Sequence, residues 1–172
     1  MTLRPPARKA LLVLHIAVSV GWMGAAAAYA ALNVPAVTDA DEQVARAAYL
    51  MMPVIAEYAL MPLAIATVVT GIALALGTTW GLWQHYWVAV SLVVTVFAAV
   101  ILVIHLPAVE ELGVAAADPN TDVSALGGDL VHSVGGLVVL SVPLVLNVVK
   151  PRGLTRRGWR MQQSRRSSAA SP

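Results

Sequence analysis

The apolar positions of this chain fall into four long runs separated by short polar stretches. A bilayer core about 30 Å thick needs roughly 20 apolar residues in a helix. Four segments reach that length, at about 10–32, 53–77, 82–106 and 128–149. The pattern therefore predicts an all-α fold, an integral membrane four-helix bundle that forms a single domain over residues 10–150.

Capping residues and prolines indicate where these helices begin, bend and end. A capping-box spacing starts at Asp39 and predicts an amphipathic helix that leads into the second run. Pro53 and Pro62 are expected to bend this helix, because proline removes a backbone hydrogen bond. The third helix is predicted to stop at Pro107 and the fourth to stop before Pro151.

Composition supports membrane insertion and narrows the chemistry that the chain can carry. Of the 172 residues, 59% are hydrophobic and 12% are charged, and the mean hydropathy is +0.76. The chain has no cysteine, which excludes disulfides, thiolate metal sites, iron-sulfur clusters and covalently attached c-type haem. A bound metal or cofactor must therefore be held by histidine, methionine or carboxylate side chains.

The charged residues are distributed unevenly between the two sides of the predicted bundle. Ten of the eleven Lys and Arg residues precede the first run or follow the fourth, and all nine acidic residues lie towards the opposite side. Basic residues near span ends stay in the cytoplasm, which predicts a plasma (inner) membrane protein with both termini cytoplasmic. The basic segments 1–9 and 151–172 then flank the domain, and the second is expected to be disordered. This topology accounts for the pI near 9.3 without a nucleic-acid partner.

The four histidines fall into two pairs when their depths are compared. His15 and His85 lie near the basic side, whereas His105 and His132 lie near the acidic side. His85 and His105 are 20 residues apart on the third helix, about 30 Å along its axis, which excludes one site built from all four. Two facing imidazoles can ligate a haem iron, bind copper or zinc with further ligands, or relay protons. The two depths predict two bis-histidine haem b sites, one per leaflet, that transfer electrons across or within the membrane.

Residues near these histidines add candidates for the surroundings of the haem. The glycines at 135–136 follow His132 by three and four residues and would leave room for a macrocycle, although glycine equally serves close helix packing. Glu57 is a candidate proton acceptor or second-shell partner of the two histidines on its side. Arg46 on the acidic side and Arg8 on the basic side are candidate partners for haem propionates.

Several stretches together resemble a family of small four-helix integral membrane proteins common in actinobacteria. They read LHIAVSVGWMG, WGLWQHYWV, VIHLP, LVHSVGG and KPRGLTRRGW. The resemblance covers Ala10 to about Arg160 and implies the fold and the membrane location, but no activity. A looser resemblance, on the four histidines alone, is to four-helix diheme b-type cytochromes. It implies haem b and electron exchange with a quinone or a partner redox protein.

Two other classes of function stay open at this point. The chain has no nucleophile triad, phosphate loop or metalloprotease motif, so no catalytic residue is predicted. The apolar helix faces also suit a non-catalytic accessory subunit of a membrane complex, or a homo-oligomer. The histidines alternatively suit a membrane protein that handles copper or another metal.

Overall fold

The chain is all-helical in the computed structural model, as the hydrophobic pattern predicts. The structure describes residues 4–38, 41–77, 85–151, 153, 155, 158–160 and 163. The elements are α1 (Pro5–Thr38), α2 (Glu42–Ile55), a π-helical turn (Ala56–Leu60), α3 (Met61–Gly77), α4 (Tyr86–Ala117), a 3-10 turn (Val123–Ala125) and α5 (Leu130–Val149). Because α2, the π turn and α3 follow one another without a break, four helices are long and apolar enough to cross a membrane. Four such helices suggest a multi-pass membrane protein.

The helices pack as a bundle with two chemically different ends. α1 contacts α2, α3 and α5, and α4 contacts α5, α2 and α3. We call the end that holds the last turn of α1, the start of α2 and residues 118–129 the acidic end, and the end that holds the start of α1 and the last turn of α5 the basic end. Large apolar side chains are exposed on every helix of the bundle, among them Val13, Ile65, Phe97 and Val131. This surface suits contact with lipid rather than water.

The largest fully buried side chains among the described residues lie at the acidic end. Tyr49, Met52, Val123 and Asn33 are the largest side chains that are fully buried among the described residues. α1 extends beyond the predicted 10–32 at both ends. At its C-terminal end it continues through Pro35, because Asn33 and Ala36 continue its buried face. The acidic half of the bundle therefore has a packed interior that reaches past the apolar run itself.

α2 and α4 differ from their predicted ends. α2 begins at Glu42 with Asp41 as its N-cap, whose carboxylate accepts a hydrogen bond from the Gln43 backbone N–H; Asp39 lies outside the described residues. The prediction that the third helix stops at Pro107 is wrong, since α4 continues to Ala117. One proline removes one backbone hydrogen bond.

Burial against α2 explains why α4 continues past its proline. Val109, Gly113 and Ala116 are buried beyond Pro107, and a Cβ on Gly113 would lie 2.5 Å from Cγ of Pro53. Only a glycine allows the two helices to approach this closely. The packing of the additional turns compensates for the hydrogen bond that the proline removes.

The second span contains its irregular turn just before Pro62. The N–H of Met61 donates to the carbonyl of Ala56, five residues earlier, which defines the π turn. Pro62 has no N–H, so the regular hydrogen-bond ladder is already interrupted at this point. Ala56 and Leu60 of this turn are both buried, and both line a cavity between the helices.

Candidate metal centre

Two of the four histidines meet on one buried carboxylate at the acidic end. Nε2 of His105 lies 2.8 Å from Oδ1 of Asp129, and Nδ1 of His132 lies 3.0 Å from the same oxygen. One ligand atom from each side chain lies within 4.8 Å of the other two. We call these three residues the His–Asp–His cluster. The structure thus brings together the pair that shares the acidic side in the sequence, and adds a carboxylate between them.

A glycine turn places Asp129 at the start of α5. Gly127 and Gly128 have φ angles of +71° and +63°, a region that residues with a Cβ rarely adopt. A Cβ on Gly128 would also overlap the side chain of Val37. Asp129 then occupies the N-cap position of α5 with no capping hydrogen bond from its side chain, and a carboxylate is favoured there by the helix dipole. His132 follows three residues later on the same face.

Two residues of α1 hold the carboxylate from the other side. The hydroxyl of Tyr29 donates to Oδ2 of Asp129 over 2.7 Å. The side-chain carbonyl of Asn33 accepts from the backbone N–H of Asp129 over 2.8 Å. Tyr29 and Asn33 are four residues apart on α1, and Asp129 is 5% exposed. The carboxylate therefore has a fixed orientation, with Oδ2 bound to the tyrosine and Oδ1 facing the histidines.

The two imidazoles of the cluster lie against each other. Their ring centroids are 3.8 Å apart and their planes are inclined by 21°. The side chain of His105 is 23% exposed and that of His132 is 53% exposed. The cluster is therefore anchored inside the bundle by Asp129 and is accessible through His132.

The cluster has the ligand types and the spacing of a metal site. Imidazole nitrogens and carboxylate oxygens bind zinc, copper, iron and nickel. Ligand atoms held at 2.0–2.1 Å in a tetrahedral zinc site are about 3.3 Å apart. The nitrogen-to-oxygen distances of 2.8 and 3.0 Å are close to that value, so small movements and a tilt of the stacked rings would accommodate an ion.

A cavity of about 380 Å³ adjoins the cluster. It lies between α1, the π turn, α4 and α5, and the cluster forms its polar part. Trp22, Tyr29 and Phe97 contribute aromatic rings to the wall. Gly135 and Gly136 also line it, and a Cβ on either would meet no atom within 4 Å. The cavity gives an exogenous ligand access to His105 and His132.

No family model, curated protein or solved structure matches this chain. The resemblances to actinobacterial membrane proteins and to diheme cytochromes accordingly stay predictions. The function has to be argued from the geometry of the cluster and of the cavity beside it.

The histidines of the basic end have different surroundings. Nδ1 of His15 lies 2.8 Å from Oγ1 of Thr70, whose hydroxyl donates to the carbonyl of Ala66 over 2.6 Å. Nδ1 of His15 is therefore the donor to Thr70. Gly71 leaves space for this ring, because a Cβ there would lie 3.2 Å from Cε1 of His15. His15 is thus held by α3.

His85 lies at the N-cap of α4. Its ring centroid is 6.2 Å from that of Trp87, with the planes inclined by 51°. The contacts that position His15 come from α3, and the aromatic contact of His85 comes from its own helix. A haem site formed by His15 and His85 stays a prediction.

Three residues were predicted to support the histidines or the haem propionates, and none of them lines the cavity. Glu57 is exposed within the π turn and is not among the residues that line the cavity. Arg8 is exposed near the start of α1 at the basic end. Arg46 fastens the end of α4 to α2: its guanidinium donates to the carbonyls of Ala116, Asp118 and Thr121 and to the carboxylate of Glu42. Its hydrogen bonds make it a helix-end clamp.

Sequence reasoning missed three functional residues of the cluster and its support. Asp129 counted only as one of the acidic residues that define the topology, and Tyr29 and Asn33 were not singled out. Two signals were present: Asp129 precedes His132 by three residues, and Tyr29 precedes Asn33 by four. Each spacing puts both side chains on one helix face.

Proposed function

We propose that this chain is a multi-pass plasma-membrane protein that binds one first-row transition metal ion at the His–Asp–His cluster. The observation that carries the proposal is the convergence of two imidazole nitrogens and one carboxylate oxygen within 4.8 Å. Basic residues in the sequence precede α1 or lie near its start and follow α5, so by the positive-inside rule the cluster at the opposite end of these helices would face the outside. The protein would then capture its ion near the outer surface of the membrane.

The surroundings of the cluster support an ion that can be exchanged. Three protein ligands leave at least one coordination position for water or another ligand, as in catalytic rather than structural zinc sites. The hydrogen bond from Tyr29 to Asp129 is the kind of outer contact that orients a metal-binding carboxylate. His132 is half exposed, so the ion has a path in and out. These features suit a protein that handles copper, zinc or iron.

Haem b with electron transfer is a second candidate function. The cavity beside His105 and His132, with two glycines in its wall, is the observation that favours it. Bis-histidine ligation needs the two imidazoles on opposite faces of a flat macrocycle, whereas their centroids are now 3.8 Å apart in a stack. Haem binding therefore requires a much larger rearrangement than binding a single ion. A quinone or a redox protein would be the electron partner in that case.

Metal analysis of the purified protein tests the proposal. The protein is expressed with normal haem and metal supply, purified in detergent through a tag that contains no histidine, and titrated with Zn²⁺ or Cu²⁺. We expect about one ion per chain, lost in His132→Ala and retained in the matched control His85→Ala at the basic end. Equal binding by both variants, or no binding by the parent protein, would contradict the proposal. A Soret band that disappears in His132→Ala would establish the haem function instead.

A further inference from the structure

The cavity beside the cluster opens sideways, towards the apolar surface of the bundle. Phe97 and Ile101 on α4 and Val131 on α5 line it, and these residues are 55%, 39% and 84% exposed. In a bilayer this surface is covered by lipid. A ligand dissolved in the membrane can therefore enter the cavity without passing through water.

The polar part of the cavity favours a neutral head group. Tyr29, His105, Asp129 and His132 contribute its main hydrogen-bonding atoms, and no Lys or Arg occurs among the described residues that line it. The phosphate of a phospholipid would lack a cationic partner there and would face the carboxylate of Asp129. A carbonyl or hydroxyl oxygen suits the imidazoles, because each ring nitrogen can donate or accept according to its protonation.

The shape and lining of the cavity favour a planar ring. The rings of Trp22, Tyr29 and Phe97 lie in its wall together with the two imidazoles, and aromatic groups pack well against flat, conjugated ligands. Gly135 and Gly136 keep the α5 side open, since neither has a side chain. The volume of about 380 Å³ lies within the range of roughly 300–1,000 Å³ that is typical of small-molecule sites.

We infer that this cavity binds the ring of a lipid-soluble quinone. One ring oxygen lies at the His–Asp–His cluster, with Nε2 of His132 as its partner, and the isoprenoid tail leaves between α4 and α5 into the bilayer. The inference goes beyond metal binding and does not need an ion, because the apolar walls and the hydrogen-bonding groups belong to the chain itself.

Two glycine-to-leucine substitutions distinguish quinone binding in the cavity from binding elsewhere on the surface. Gly136→Leu fills the cavity, and a Cβ there meets no atom within 4 Å, so the variant is expected to fold. Gly24→Leu is the matched control, because Gly24 is exposed on α1, has the same open space around its Cβ and does not line the cavity. Both substitutions replace a helical glycine and should leave the unfolding temperature unchanged or raise it.

Quenching of tryptophan fluorescence by decylubiquinone measures the binding, since Trp22 lies in the cavity wall. The protein is first treated with a chelator, so that the result does not depend on the proposed ion. We expect saturable quenching in the parent protein and in Gly24→Leu, an apparent Kd at least ten times higher in Gly136→Leu, and loss of the saturable component in Trp22→Phe. Decanol, which offers an alkyl chain without the ring, should not compete at equal concentration.

Three results would overturn the inference. The first is quenching that rises linearly in all variants, which means partition of the quinone into the detergent micelle. The second is equal affinity in Gly136→Leu and Gly24→Leu. The third is effective competition by decanol, which would assign the cavity to acyl chains. If the parent protein binds metal but shows no saturable quenching by the quinone, the quinone site is wrong and the proposed metal function is unaffected. If the parent protein binds the quinone but no metal, the metal function is wrong and the quinone site is unaffected.

Discussion

The two ends of the bundle each hold two histidines in apolar helices, yet they use them differently. At the acidic end, His105 and His132 share one oxygen of Asp129, and Tyr29 holds the other oxygen. At the basic end, His15 is paired with the hydroxyl of Thr70. A buried carboxylate therefore distinguishes a cluster that can bind an ion from a histidine that fits into helix packing.

The acidic and basic ends of the bundle also differ in how well their buried groups are packed and hydrogen-bonded. The largest fully buried side chains lie at the acidic end, where the connections fold onto the helices. In the basic half, the buried hydroxyls of Ser19, Thr67 and Ser91 have no hydrogen-bond partner among the described residues. Rigid positioning of a polar group inside a membrane bundle requires partners on several helices. At the acidic end, α1, α4 and α5 supply such partners around Asp129.

Removing the shared carboxylate should have the largest effect. Asp129→Ala leaves the hydroxyl of Tyr29 and two histidines without their acceptor, and each buried donor left unsatisfied costs about 1–3 kcal/mol. We expect a clear fall in the unfolding temperature, followed by far-UV circular dichroism in detergent, together with loss of metal binding.

The matched control for that substitution is Asp122→Ala in the same connection. The side chain and backbone N–H of Ser124 donate to Asp122 and lower its pKa, but this carboxylate is exposed and touches no histidine in the cluster. A much smaller change in stability and unchanged metal binding are expected. If the two variants lost stability and metal binding equally, Asp129 would have no role beyond that of an exposed carboxylate in the same connection.

Two glycine-to-alanine substitutions compare how well the backbone tolerates an added Cβ at the acidic end and at the basic end. Gly128→Ala introduces a Cβ at a positive φ and against Val37, and we expect a cost of about 1–3 kcal/mol from overpacking alone. Gly71→Ala brings a Cβ to 3.2 Å from the His15 ring, which can shift, while helix propensity improves by up to about 1 kcal/mol. Thermal unfolding of both variants should therefore rank Gly128→Ala well below Gly71→Ala. The reverse order would be incompatible with the glycine turn described for Asp129.

Removing the hydroxyl of Tyr29 should lower the affinity for the metal ion without unfolding the protein. In Tyr29→Phe the carboxylate keeps its histidines but loses the contact at Oδ2, and changes of this kind lower metal affinity by roughly 10–100-fold. Tyr58→Phe is the control, because Tyr58 is 73% exposed. Competition with a chelator of known affinity measures both. The account fails here if the two variants bind the ion equally well.

The smallest effect is expected at the basic end. Thr70→Val removes the partner of His15 and should cost about 1 kcal/mol, the usual net value of one hydrogen bond. Thr95→Val is a control, since the hydroxyl of Thr95 donates to the carbonyl of Ser91 one turn earlier on its own helix. Thermal unfolding should show a modest difference, and metal stoichiometry should be the same in both. Loss of the ion in Thr70→Val would mean that the two ends are coupled.

The helices could be predicted from the sequence because long apolar runs leave few alternatives. The four runs correspond to the four long helices, and α5 ends at Val149, before Pro151, as predicted. The proline did not mark the end of α4, because packing beyond Pro107 outweighs the single backbone hydrogen bond that the proline removes. Helix ends depend on tertiary contacts that periodicity does not contain.

The candidate site could be predicted only in part. Comparison of depths paired His105 with His132, and their rings are in contact. Asp129 was missed because its approach depends on the turn at Gly127 and Gly128, whose backbone angles are not visible in an apolar pattern. Tyr29 was missed because its partner is 100 residues away along the chain. Only the folded bundle brings α1, α4 and α5 to one carboxylate.

Electron paramagnetic resonance of the Cu²⁺-loaded protein tests the central claim most directly, because nitrogen ligands split the copper signal. The account predicts couplings to two imidazole nitrogens in the parent protein and in His85→Ala, and loss of this bound-copper signal in His132→Ala. A spectrum without nitrogen couplings, or one that His132→Ala leaves unchanged, would contradict the assignment of His105 and His132 to a single ion.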